Sequence, residues 1–139
     1  MRRAVTLALA GATLAIFGVA AAAAPLPAQA HERAELFATC SGSLKALATR
    51  LHATGDPRAE ATERMSADFE MLLEATLPDA LEDGVPERLP ERWRHTGWNE
   101  TAYLLSEVHY AFDAGRSDRA RAVLRERLNA CRDVLLPAG

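Results

Sequence analysis

Apolar positions along this chain recur at steps of three and four residues and no strand-like alternation competes, which predicts helices and no strands. Leu36, Cys40, Leu44, Leu47 and Leu51 form the first stripe, on a helix from about Glu32 to Ala53. Gly55 is a stop signal, and Asp56-Pro57 reads as an N-cap followed by a proline in the first turn. The second helix is expected from Pro57 to about Leu77, with Ala61, Met65, Phe69, Leu72, Leu73 and Thr76 turned inward and Pro78 ending it. Residues 78–90 hold three prolines and Gly84 and read as the longest connection. A third helix starts between Pro86 and Trp93 and ends before Gly115, with Thr101, Leu104, Leu105, Val108 and Phe112 on its stripe. Ser117 is the expected cap of a fourth, which buries Ala120, Val123, Leu124, Leu128, Cys131 and Leu135 and stops at Pro137. Short links between helices one and two, and three and four, favour antiparallel neighbours. The expected fold is an all-α, up-down-up-down four-helix bundle.

The segment ahead of this pattern has a different logic. Arg2 and Arg3 precede an uncharged, mainly apolar run over residues 4–24, and Ala28-Gln29-Ala30 supplies small residues for a signal peptidase. Residues 1–30 are thus expected to be a cleaved signal peptide, and 31–139 a single helical domain exported to a bacterial periplasm. The run is long enough to span a bilayer, so an uncleaved N-terminal anchor is the alternative. No second membrane span is expected after it.

Two cysteines, Cys40 and Cys131, are the whole complement. An even pair in an exported protein reads as a disulfide. In an up-down-up-down bundle both lie roughly two turns from the same end, at about 1.5 Å per residue, and both are on apolar stripes. No C-x-x-C occurs for thiolate metal binding, and no C-x-x-C-H for covalent haem.

Cys40-Ser41-Gly42-x-Leu44, Gly55-Asp56-Pro57, Leu72-Leu73-Glu74-Ala75 and the late Cys131 before Leu135-Leu136 resemble the pattern of a group of small exported helical proteins of alphaproteobacteria. The likeness spans most of the chain after the leader. It implies a single-domain exported helical fold and no activity.

Composition narrows the chemistry. The net charge of −3 argues against a general nucleic-acid binder. There is no G-x-S-x-G, S-x-x-K, P-loop or H-E-x-x-H, and no repeated E-x-x-H of the di-metal bundles. A cut after Ala30 would leave His31 with a free α-amine, a copper-chelating group if His52, His95 or His109 came near. Met65 and Met71 read as core and filler rather than haem ligands. Glu63, Glu70 and Glu74 read as a solvated acidic face, pointing away from the stripe of the second helix.

Three surface features point to a partner. Charge is segregated: nine acids against two arginines from Asp56 to Asp83, and six arginines against two acids from Arg116 to Arg132. The bland explanation is complementarity between neighbouring helices or simple solvation; the functional one is an anion-binding row with Arg121 and Arg125. Both tryptophans fall in Trp93-Arg94-His95-Thr96-Gly97-Trp98, either capping the bundle or forming a contact site, with Gly97 a candidate kink. Tyr103 and Tyr110, seven apart, form a candidate contact strip. The expected function is a non-catalytic module that binds another protein or a cell-envelope component through Trp93, His95, Trp98, Tyr103, Tyr110, Arg121 and Arg125. The alternatives are a copper or cofactor binder using His31, and an enzyme whose site is assembled across helices.

Overall fold

The structure is a computed structural model, and it describes residues 25–136. Most of the expected leader, residues 1–24, and the expected stop at Pro137 lie outside them. Four helices make up the domain: α1 (Ala30–Ala53), α2 (Ala59–Glu82), α3 (Leu89–Tyr110) and α4 (Ala114–Leu135). Side-chain partners give their directions. Ser41 meets Ser66 and Glu70, whereas Lys45 meets Glu63, so α2 runs against α1. Ser43 meets Gly97 and Arg50 lies over Tyr110, so α3 runs with α1. Glu107 pairs with Arg116 and Glu100 with Arg127, so α4 runs against α3. This is the up-down-up-down bundle, and Cys40 and Cys131 close it as a disulfide with their Cα atoms 5.6 Å apart.

The helices do not contribute equally. α1 is the hub: it packs along both α2 and α3, while α4 lies on α3 and touches α1 lightly. Consecutive residues Cys40 to Leu44 are all buried, which no one-sided stripe would allow. They can be buried because most of them are small, so neighbouring helices close on α1 from more than one side. The largest fully buried side chains are Phe69, Leu44 and Leu73, and Phe37 tilts against Phe69 with ring centroids 6.2 Å apart. Each such apolar side chain contributes roughly 1.5–3 kcal/mol by leaving water.

Several boundaries and burials differ from the sequence reading. α2 starts at Ala59, after a turn in which Asp56 accepts a hydrogen bond from the Arg58 backbone. It then continues through Pro78 to Glu82. Pro78 is on the exposed side, where water can serve the carbonyl it leaves free. The extra turn seats Ala80, fully buried, in the core beside Ala30 and Ala34, and the Ala80 carbonyl accepts from Val85 N–H. The α2 stripe is also rotated: Ala61 is exposed, and Thr62 and Ser66 are buried instead. Both hydroxyls donate to backbone carbonyls, of Arg58 and Ser41, so their burial leaves nothing unpaired.

α4 is capped by Asp113, whose carboxylate accepts from the backbone of Gly115 and Arg116. Gly115 is therefore inside the helix, and Ser117 donates its hydroxyl proton to the Val108 carbonyl instead of capping. Phe112 is not in the core but fully exposed, because Ala111 turns extended and carries the chain off the α3 stripe. Val123 is 46% exposed, since α4 buries only Ala120, Leu124 and Cys131. No helix among the described residues is long and apolar enough to cross a membrane. Ala30, where the leader is expected to end, begins α1 and is buried.

Candidate functional site

Two glycines set the geometry of the site. A Cβ placed on Gly42 of α1 would lie 2.0 Å from the Arg94 carbonyl oxygen, and one on Gly97 of α3 would lie 2.1 Å from that of Thr39. α1 and α3 thus touch backbone to backbone, each through the other's glycine. Gly97 is a contact residue rather than a kink, and α3 is continuous across it. Ser43 closes the seam by donating to the Gly97 carbonyl over 3.2 Å. Thr101, one turn on, is fully buried, and its hydroxyl finds no partner among the described residues.

α2 does not close over this seam. Between it and α3 lies a cleft of about 650 Å³, floored by Ser41 and Gly42 of α1. Its α2 wall carries Glu63, Ser66, Ala67 and Glu70, and its α3 wall carries Glu91, Arg94, His95, Trp98 and Asn99. Two α2 carboxylates, Glu63 and Glu70, brace it with partners on α1 and α3. Lys45 Nζ lies 2.5 Å from Glu63 Oε1, and His52 Nε2 lies 3.0 Å from Glu63 Oε2. The Lys45 ammonium, and after it the His52 ring, hold the Glu63 carboxyl below its ordinary range. Further along, Arg94 Nε lies 3.1 Å from Glu70 Oε1 across the cleft, without the alignment of a hydrogen bond. Glu70 also accepts the Ser41 hydroxyl proton. Glu63 and Glu70 stay 47% and 35% exposed but are held on the cleft wall by Lys45 of α1 and Arg94 of α3, while Glu74 is exposed as a solvated face requires.

The expected contact residues are divided by the fold. Trp98 and His95 line the cleft. Trp93 is half-buried against the core. Trp98 also borders a smaller hollow of about 280 Å³ with Arg50, Leu105 and Tyr110. There Arg50 sits 6.0 Å above the Tyr110 ring, at the limit of a cation–π contact. Tyr103 lies two turns back on the same face of α3, and its hydroxyl accepts from Arg116. The Tyr103 hydroxyl and then Glu107 raise the Arg116 pKa above its ordinary value. The two tyrosines thus share a face of α3, 58% and 67% exposed, and each meets a different arginine. Arg121 and Arg125 are exposed on α4 and line none of these hollows; Arg121 pairs with Asp118 of its own helix.

Charge segregation is not complementarity between α2 and α4. No ion pair joins them among the described residues, and the helices do not pack along each other. α2 acids answer cations on α1, α3 or their own helix, and α4 arginines answer acids on α3, at the α4 cap or on their own helix.

His31 lies in a shallow hollow with Arg33, Asp79 and Asp83. The other histidines are elsewhere: His52 pairs with Glu63, His95 lines the cleft, and His109 stands beside Tyr110. No group of three metal-ligating side chains placed to share an ion occurs among the described residues. The copper arrangement therefore lacks its second imidazole.

Sequence reasoning missed Ser41, Gly42, Lys45, Ser66, Glu70 and Arg94 as site residues. The available signal was Cys40-Ser41-Gly42-Ser43, a run of small residues inside a helix and therefore a place where another helix can approach. Searches against protein-family models, curated proteins and solved structures find no match for this chain.

Proposed function

We propose that this chain is an exported binding module of a bacterial periplasm, which takes a partner protein or envelope component in the α2–α3 cleft and does no chemistry on it. The observation that carries the reading is the cleft itself: Trp98 and Arg94 share an opening that the chain's own side chains leave unfilled. Tryptophan with arginine is the composition of interaction hot spots. The polar groups of the cleft are engaged with one another: the Ser41 hydroxyl donates a hydrogen bond to Glu70, which also pairs with Arg94. The Cys40–Cys131 disulfide supports an oxidising compartment.

The test is site-specific photo-crosslinking in the exported full chain. A photoreactive residue at Ala67 or Asn99, on the cleft rim, should give one adduct heavier than the chain alone and different from its dimer. Arg94→Ala and Trp98→Ala should abolish that adduct while the helical circular dichroism stays unchanged. Adducts only from exposed α4 positions such as Val123, or none from the cleft, would overturn the assignment.

A further inference from the structure

A second groove lies on the other flank of α2, between it and the end of α4. Met65, Leu72, Leu135 and Leu136 line its volume of about 370 Å³. Its rims stay open, with Met71 60% and Leu136 67% exposed. The α2 side carries Asp68, Asp79 and Glu82, and the α4 side Arg121, Arg125 and Arg132. At about 100° per residue, Arg125 lies roughly 160° around α4 from Arg127. Arg127 is the residue that reaches Glu100 on α3, so the Arg121–Arg125–Arg132 row looks away from α3. An acidic helix and a basic helix thus border one apolar groove, and no ion pair crosses it among the described residues. Arg125 and Arg132 have no carboxylate at pairing distance among the described residues.

We propose that this face is where two copies of the chain associate. A second copy laid antiparallel across it sets the α2 acids of each protomer on the α4 arginines of the other, with the Met–Leu groove between them. A two-fold contact demands a patch that is its own complement, and a negative strip beside a positive strip meets that demand. The size is sufficient. α2 and α4 have 24 and 22 residues, so each is about 35 Å long at 1.5 Å per residue. The two helix faces that border the groove, each about 10 Å wide, offer about 700 Å² per protomer, close to the share of a standard interface. The α2–α3 cleft is on the opposite flank of α2 and stays open in both protomers, so this inference stands independently of the proposed function.

The experiment is sedimentation equilibrium of the oxidised full chain over a range of concentrations at low and high salt. A dimer is expected that weakens as salt screens the exposed pairs. Arg125→Glu with Arg132→Glu should weaken it roughly tenfold or more, and so should Asp68→Lys with Glu82→Lys. Mixed together, the two double variants should form a heterodimer, because each then meets opposite charge at both strips. All four positions border solvent, and circular dichroism checks that the variants stay folded. A monomer at every concentration would overturn the proposal. So would a dimer indifferent to salt and to both charge reversals, or open-ended polymers in place of a closed pair.

Discussion

Adding one methyl group at Gly42 tests the central packing argument. A glycine inside a helix normally costs about 1 kcal/mol relative to alanine, so at an open position Gly→Ala should stabilise. At Gly42 the added Cβ would lie 2.0 Å from the Arg94 carbonyl oxygen, 2.9 Å from its carbon and 3.0 Å from Trp98 N. Carbon and oxygen of packed helices stay about 3.3 Å apart or more, so α1 and α3 must separate by roughly 1.3 Å. All three obstructing atoms are backbone, and no rotamer change relieves them. Overpacking of this kind costs about 1–3 kcal/mol, sometimes more, and here the upper end applies because a whole helix must move. Against a propensity gain of about 1 kcal/mol, the net expectation for Gly42→Ala is a loss of about 2 kcal/mol. That lowers Tm by roughly 8 °C in a domain of this size. Gly115→Ala is the internal control, since its Cβ meets only the flexible Arg119 guanidinium at 3.3 Å and the Asp113 carboxylate beyond. It should raise stability by up to about 1 kcal/mol. Urea and thermal unfolding of both variants measure the difference. If Gly42→Ala matches or exceeds the parent, the backbone contact between α1 and α3 is wrong, and the cleft geometry with it.

Other expectations follow from separate parts of the fold. Replacing Cys40 and Cys131 by alanine opens a loop spanning 91 residues. On the chain-entropy model this costs about 4–5 kcal/mol, and an unchanged urea midpoint would contradict it. The Arg58 guanidinium and backbone lower the Asp56 pKa to about 2. A carboxyl depressed in the folded state lends stability above its unfolded value near 3.8, and that stability is lost as pH falls toward 2. Asp56→Asn should therefore flatten the acid limb of a stability–pH curve in that window and leave its slope above pH 6 alone. Thr101→Val removes a buried hydroxyl that has no partner, and should stabilise by about 1 kcal/mol in urea unfolding. Phe69→Ala should cost about 3–5 kcal/mol, whereas Phe112→Ser, at a fully exposed ring, should leave the melting curve where it is.

The sequence alone determined the local elements. Period, stops and turn chemistry predict four helices, and Gly55-Asp56 does form the first corner, with Gly55 at φ 67° where glycine is favoured. The disulfide followed from cysteine levels within that bundle. Local signals failed where a tertiary contact outweighed them. Pro78 is a valid stop, but burial of Ala80 carries α2 past it. Ser117 is a valid cap, but Asp113 lies earlier and takes the role. A hydrophobic stripe weights large side chains, so it could not mark Ser41, Gly42 and Ser43 as buried. The tertiary structure alone decided that α1 is the hub and that α2 stands apart from α3. It also decided that Trp98, Arg94 and Glu70 share a cleft. Periodicity reports which face of a helix avoids water. Which helix meets that face, and how closely, depends on the shapes of both partners, and those meet only in three dimensions.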